Sequence, residues 1–336
     1  MNILGLESSC DETSAAVVEN GVTVRSNVVA SSAAMHAKYG GIVPEVAARE
    51  QLKCIIPTID EALKLANTDL QSIDTIAIAV GPGLIGSLLV GVETAKTIAL
   101  TTGKPLIPVN HVLAHMYANF IGGTTIEFPA ISLVVSGGHT ELFLMESPKK
   151  LTWLGGTLDD AAGEAFDKTA RLLGFENRGG VAIQEVAGQC QMINAKCQIK
   201  LPRPMMYDHS LNFSFSGLKT AILREVNKLK ELKQFNNLTI QQLAFEVQEA
   251  ITDVLVAKTM TAAEKYEAKS VLISGGVAAN LRLREKFESA FENFHCPPIS
   301  LCTDNAVYIG SYAYFRGVPA DWHTITAIPD MSVEDI

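Results

Sequence analysis

The chain has 336 residues, 48% hydrophobic and 19% charged, with 27 Lys and Arg against 36 Asp and Glu for a formal charge of −9. An apolar fraction this large excludes disorder over most of the length, and the length predicts two domains. The net acidity argues against a surface that grips nucleic acid everywhere, but leaves room for a local basic patch.

In chain order, Asn2–Leu6, Ala15–Glu19 and Val22–Ala30 read as three strands. Pro44–Ala66 has apolar residues at spacings near three and four and begins on a proline, so it reads as a helix. Thr75–Val80 is a continuous apolar strand, Leu84–Leu100 a helix, Leu106–Val109 a strand and Val112–Phe120 a helix. The pattern then restarts. Pro129–Ser136, Thr140–Glu146 and Leu151–Gly155 are strands, followed by helices at Ala161–Leu173, Ala182–Gln191, Phe215–Glu231 and Ile240–Glu264. Val271–Ser274 is a strand, Val277–Phe291 a helix, and Asn305–Phe315 the last helix. Two units that each open with a β-meander and close with helices predict a duplicated α/β architecture. The first lobe is expected over residues 1–128, with a C-terminal helix over about 303–336 packing back on it, and the second over 129–302.

The opening MNILGLESSCDE has neither a basic n-region nor a long apolar h-region, so no secretory signal is expected. The uncharged stretch Ile76–Val92 is interrupted by Gly81-Pro82-Gly83, and no membrane span is expected. Six cysteines, at 10, 54, 190, 197, 296 and 302, form no CxxC pair, which fits reduced, buried thiols in a cytoplasmic protein. Met192–Gln234 stands apart in charge, with eight basic and three acidic residues for a net +5. It reads either as a solvated helix face or as a docking patch for a polyanion.

Gly81-Pro82-Gly83-Leu84-Ile85-Gly86 matches G-x-G-x-x-G between a strand and a helix. It is not in the first βα unit, and the next strand ends in Asn110 where a ribose-binding acid would be needed, so the glycines are read as serving close backbone approach. No Walker A sequence is present. Three further glycine turns, Ser136-Gly137-Gly138, Gly179-Gly180 and Ser274-Gly275-Gly276, can each turn backbone N–H groups toward anionic oxygens. Three such turns in one chain predict a phosphate cleft between lobes.

His111-Val112-Leu113-Ala114-His115 places two imidazoles at i and i+4, on one helix face and within reach of one metal. A zinc protease would need Glu at position 112, which is Val. Asp304, just before the last helix, is the candidate third ligand. Glu7-Ser8-Ser9-Cys10-Asp11-Glu12-Thr13 forms an acidic turn between apolar strands, either a solvated hairpin or a turn that faces phosphates through metal or water.

Eight blocks together resemble one family: GLESSCDETSAAVV (5–18), GPGLIGSLLVGVETAK (81–96), NHVLAHMYANF (110–120), VSGGHTEL (135–142), DDAAGEAFDKTARLLG (159–174), FSFSGLKTA (213–221), SGGVAANLRLREKF (274–287) and CTDNA (302–306). They are similar to the bacterial tRNA N6-adenosine threonylcarbamoyltransferases, over about residues 2–318. The resemblance implies an actin/Hsp70/sugar-kinase (ASKHA) fold and transfer of a threonylcarbamoyl group from threonylcarbamoyl-AMP to N6 of the adenosine just 3′ of the anticodon, releasing AMP. It implies one Fe2+ or Zn2+ ion on His111, His115 and Asp304, and substrate contacts at Val134, Val135, Ser136, Gly137, Gly138, Asp167, Gly180 and Asn280. ATP is a possible further ligand. Asp11 and Glu12 are candidates for a proton acceptor or a water-mediated metal contact. The implied partners are tRNA, an inactive paralogue (TsaB-type), a small P-loop ATPase (TsaE-type) and a separate threonylcarbamoyl-AMP synthase. The sequence departs from the family at Arg178 and Val181, where Pro is usual, and at Gln184 or Glu185, where an acid is common. A small-molecule kinase or ATPase of the same superfamily, a metallopeptidase and a non-catalytic assembly subunit are the competing readings.

Overall fold

The computed structural model describes residues 1–36, 42–175, 179–192 and 199–334. Arg178, Cys197 and the part of the basic segment over 193–198 lie outside them. The chain divides into two units. Unit 1 comprises Met1–Ile126, Ser147–Leu151 and Pro297–Ile336, and unit 2 comprises Glu127–Glu146 and Thr152–Cys296.

In unit 1 the apolar runs at 2–7, 12–19, 75–81 and 106–110 are buried on both faces, while the strand at 23–31 is largely exposed. β1 (Asn2–Glu7), β2 (Glu12–Glu19) and β3 (Thr23–Ser31) form an antiparallel meander, with Leu4 opposite Val17 and Leu6 opposite Ala15. Asn20 and Gly21, at φ 51° and 72°, make the left-handed turn between β2 and β3. A short helix α1 (Ala33–His36) precedes α2 (Pro44–Leu65), whose proline occupies the first turn, where no backbone donor is needed. α2 buries Ala47, Gln51, Ile55, Ile59 and Ala62 at helical spacing. β4 (Thr75–Gly81) pairs in parallel with β1, and β5 (Leu106–Asn110) pairs in parallel with β4. Between them runs α3 (Ile85–Thr102), ended by Gly103 at φ 68°. The sheet order is β3-β2-β1-β4-β5. Its core gathers Leu4, Leu6, Val17, Ile55, Ile76 and Ile78.

α4 (His111–His115) follows β5 directly, and the chain then tightens into a 3₁₀ turn over Met116–Phe120. The single helix expected over Val112–Phe120 is therefore two short pieces.

The second sheet has the same order, its strands lying in unit 2 except at Ser147, Lys150 and Leu151. β6 (Ala130–Val135), β7 (Thr140–Ser147) and β8 (Lys150–Gly156) form the meander. α5 (Ala162–Leu172), α6 (Gly179–Met192), α7 (Ser216–Glu231) and α8 (Asn237–Lys265) follow. β9 (Ser270–Ser274), α9 (Leu281–Ala290) and β10 (Phe294–His295) complete it. The order is β10-β9-β6-β7-β8, with β9 parallel to both β6 and β10. In each sheet the unit's first strand is central, with its hairpin partner on one side and the fourth strand in parallel on the other.

The helix expected over Val277–Phe291 is interrupted. Gly276–Ala279 is a 3₁₀ turn, and Asn280 is the N-cap of α9, its Oδ1 accepting from Leu283 N at 2.9 Å. β10 was not visible in the sequence because two residues carry no alternation. α10 (Val307–Phe315) belongs to unit 1. The longer helix expected over about 303–336 stops at Phe315. Gly317 N bonds back to Tyr312 and Ala313 carbonyls, and Pro319 has no N–H to continue the helix. The chain then runs along unit 1, with Ala320 N donating to Leu106 O and Ile328 N to Val80 O. No described helix is long and apolar enough to cross a membrane.

Candidate functional site

The two histidines owe their placement to the helix start. Asn110 Oδ1 accepts from Val112 N and Leu113 N at 3.0 and 3.1 Å, so α4 begins at once where β5 ends. The i, i+4 spacing then sets the imidazoles on one face, ring centroids 4.8 Å apart. Asp304 arrives from the other end of the chain. Gly5 has no Cβ, and one there would run into the Ala306 carbonyl oxygen and meet Gly310 N at 3.0 Å, so the start of α10 lies directly on β1. Ala306 N donates to Ser14 Oγ at 3.0 Å, fixing the approach.

Asp304 Oδ1 lies 3.7 Å from His111 Nε2 and 3.6 Å from His115 Nε2. One ligand atom from each of the three lies within 4.8 Å of the others. Two ligand atoms on bonds of ~2.1 Å at a tetrahedral angle would stand about 3.4 Å apart, close to these spacings. The donor chemistry, two imidazole nitrogens and a carboxylate oxygen, suits iron or zinc with open positions. All three residues are in unit 1.

Two residues complete the surroundings: Glu7, which the sequence reading named only as the first residue of the acidic turn, and Tyr308, which it did not name. Glu7, 1% exposed at the end of β1, places Oε2 2.9 Å from His111 Nδ1, and its Oε1 accepts from Ser9 N at 2.6 Å. Its signal was a carboxylate closing an otherwise apolar central strand. The Tyr308 ring centroid lies 4.4 Å from that of His115, and its hydroxyl donates to Asp304 Oδ1 at 3.5 Å.

Burial alone would suppress the charge on His111, but the Glu7 and Asp304 carboxylates overcome it and raise its pKa to about 9. Burial pushes Glu7 up, and the His111 and Ser9 partners more than reverse this, leaving it below the usual carboxylate range. Asp304 is pushed up by burial and by the Glu7 and Asp11 charges, with His111 opposing. The Cys10 thiol is driven well above its ordinary range by burial and by the Asp11 and Asp304 charges. Three acids around two imidazoles make an excess of negative charge, which a divalent cation would balance.

Asp11 is close enough to raise Asp304, and its turn is held by Ser32, whose N and Oγ donate to the Asp11 carbonyl at 3.1 and 2.8 Å. Glu12 begins β2, and its Oε1 accepts from Ser31 Oγ at 2.7 Å. Gln51 of α2 donates to the carbonyls of Cys10 and Glu12, each at 3.0 Å.

In unit 2, Val134 and Val135 end β6, and Ser136, Gly137 and Gly138 form the turn to β7. Ser136 N donates to His139 O at 2.8 Å, and nothing stands within 4 Å of a Cβ built at Gly137 or Gly138. Gly163 packs its backbone on that turn, since a Cβ would meet Ser136 O at 2.5 Å. Asp167 lies two turns or less along α5, and a Cβ at Gly179 would touch its Oδ1 at 2.6 Å. Burial pushes the Asp167 carboxyl up, opposed by Arg171 and the N–H groups of Gly179 and Gly180. Gly275, at φ 89°, lies against the Val135 carbonyl, where no side chain would fit. Gln184 Oε1 accepts from Leu281 N at 2.7 Å, and Asn280 Nδ2 donates to Gln248 Oε1 at 3.0 Å. One chain of contacts thus links the 134–138 turn, Asp167, Gly180 and Asn280 within this unit.

The G-x-G-x-x-G stretch packs backbone on backbone. A Cβ at Gly81 or Gly83 would collide with the Ile328 or Ser9 carbonyl, and Leu84 N donates to Ser9 O at 2.7 Å.

Residues 23–311 match the family model of TsaD, tRNA N6-adenosine threonylcarbamoyltransferase. A relative of that name from Moorella thermoacetica is 45% identical, covering 98% of this chain and 96% of its own length. Another, from Persephonella marina, is 47% identical, covering 94% and 90%. Among solved structures, the (R)-2-hydroxyglutaryl-CoA dehydratase component A of Acidaminococcus fermentans aligns at TM-score 0.54 and 14% identity, covering 94% of this chain and 98% of its own. Full-length HypF in a phosphate- and nucleotide-bound form aligns at TM-score 0.59 and 13% identity, covering 93% and 46%. At such identities the structural likeness speaks for the duplicated, two-lobed ASKHA-like α/β fold alone.

Proposed function

The chain belongs to the tRNA N6-adenosine threonylcarbamoyltransferase family, and on that premise we propose how its residues carry out the transfer of a threonylcarbamoyl group to N6 of an adenosine in tRNA. The kinase, peptidase and assembly-subunit readings draw no support from these matches. The donor is threonylcarbamoyl-AMP, a mixed anhydride. The adenine N6 forms a bond to the carbamoyl carbon, the bond from that carbon to the phosphate oxygen breaks, and its electron pair leaves with AMP. Asp11, beside Asp304, takes the proton that N6 loses. Glu12, tied to Ser31, holds the turn that presents Asp11.

The convergence of His111, His115 and Asp304 carries this reading. A divalent iron or zinc ion held by these three would supply Lewis acidity toward the carbamoyl oxygen. The N–H groups of the turns at Gly137 and Gly275 bind the AMP phosphate, preorganised for its charge. Asp167 and Asn280 orient the nucleoside, and Gly180 lets its backbone approach it. The exposed cations of α7 contact the tRNA backbone. The inactive paralogue, the small ATPase and the separate synthase belong to the same proposal, as do a possible ATP ligand and a cytoplasmic location alongside tRNA.

The test is single-turnover transfer from isolated threonylcarbamoyl-AMP to tRNA. His111→Ala is expected to lower the rate at least 100-fold, on the order of one lost charge-stabilising contact, with tRNA affinity unchanged. A wild-type rate in the folded variant would remove the three-residue centre from the chemistry.

A further inference from the structure

We propose that Glu7 is a positioning residue for His111: its carboxylate accepts the Nδ1 proton, fixes the ring and leaves the Nε2 lone pair facing the side occupied by Asp304. The proposal rests on the metal-bearing reading above and adds a residue to it.

A cation binds His111 only once its ring has given up one of the two protons of the imidazolium; the neutral imidazole then carries one N–H, and whichever nitrogen keeps it leaves the other as the ligand. Here Nδ1 stands 2.9 Å from Glu7 Oε2, while Nε2 faces Asp304 at 3.7 Å. The carboxylate is itself immobilised. It is 1% exposed, and its other oxygen accepts from Ser9 N at 2.6 Å. Ser9 Oγ also approaches Nδ1, at the longer distance of 3.3 Å. Without Glu7 the proton could move to Nε2, where it would occupy the position a cation needs. A buried acid with no surface role, seated on the far nitrogen of a ligand histidine, is the arrangement by which a second layer of residues orients and strengthens a metal ligand.

The test uses the full-length protein, stripped of metal and titrated with zinc ion alone against a competing chelator. Glu7→Gln keeps the shape and hydrogen-bonding capacity but removes the charge, and is expected to weaken zinc binding about 10-fold. Glu7→Ala is expected to weaken it up to about 100-fold. In zinc-loaded wild type, proton–nitrogen correlation spectra should show the His111 proton on Nδ1 and the metal on Nε2. That measurement needs no variant to fold. Equal zinc affinity in folded Glu7→Gln, or ligation of His111 through Nδ1, overturns the proposal. A wild type that binds no zinc overturns it together with the metal reading. A wild type that binds zinc normally while His111→Ala still transfers at full rate overturns the mechanism and leaves the role of Glu7 standing.

Discussion

Asp159 shows how one carboxylate can hold two distant segments together. The N-terminus of α7 has no side-chain cap of its own. Asp159 supplies it from the loop ahead of α5, accepting from Phe215 N at 2.8 Å and Ser216 N at 3.1 Å on one oxygen. The hydroxyls of Ser214 and Ser216 donate to the other at 2.6 and 2.7 Å. Partial burial works against ionisation, but these donors lower its pKa to about 2. A depressed carboxylate contributes stability that is present above its ordinary value near 3.8 and is lost as pH falls through about 2. Asp159→Asn should therefore cost about 1 kcal/mol near neutrality, modest because solvent reaches the group. The gap from wild type, measured by urea unfolding, should close between pH 4 and 2, and a gap that stays constant over that range would contradict the assignment. The block DDAAGEAFDKTARLLG contained this residue, but only the fold brings it to the FSFSG segment. The same limit hid the pairing of Glu7, named in the acidic turn, with His111, which lies on another strand's exit.

At the scale of the element, α7 was legible as an amphipathic helix, and its buried stripe is Leu218, Ile222, Val226 and Leu229. Its charge balance was less so, because counting residues ignores which charges the fold neutralises. Arg203 is engaged by Glu246 and Asp253, and Lys228 by Glu225 at 3.0 Å. Lys219, Arg224 and Lys230 remain exposed on the helix. If they meet tRNA phosphates, reversing all three to Glu should weaken tRNA binding and make its logarithmic salt dependence shallower by about 2 to 3, near one unit per lost contact. Zinc affinity serves as the control, since His111, His115 and Asp304 lie in unit 1 and α7 in unit 2. An unchanged salt slope would leave these lysines and the arginine as an ordinary solvated face. Where periodicity overran, as at Val277–Phe291, a single cap was responsible. Asn280 bonds to Leu283 N and Gln248, which ends one turn and starts α9. An apolar period cannot register that break, since residues on both sides keep helical spacing.

Across the whole molecule, the duplication was legible as two meanders each followed by helices, while the shared strand order came only with the fold. The closing of the first unit by the last part of the chain was legible in outline only. Ala320 and Ile328 are bound to Leu106 and Val80 by backbone hydrogen bonds, not by a helix, and hydrogen bonds of an irregular segment leave no periodic trace in a sequence. This closure has an energetic consequence. His111 and His115 follow β5, and Asp304 precedes α10, so a cation would tie together parts of unit 1 that are remote along the chain. A ligand that binds only the folded state stabilises it by about 2.7 kcal/mol at 100 times its dissociation constant. Because His111, His115 and Asp304 all belong to unit 1, that gain should appear as slower hydrogen exchange in β1, β5, α4 and α10 when zinc is added to metal-free protein. β6, β7 and β9 of unit 2 should exchange as before, and Asp304→Ala should abolish the protection. An equal gain in both units would mean that they open as one cooperative body, and no gain in wild type would mean that these three side chains hold no cation.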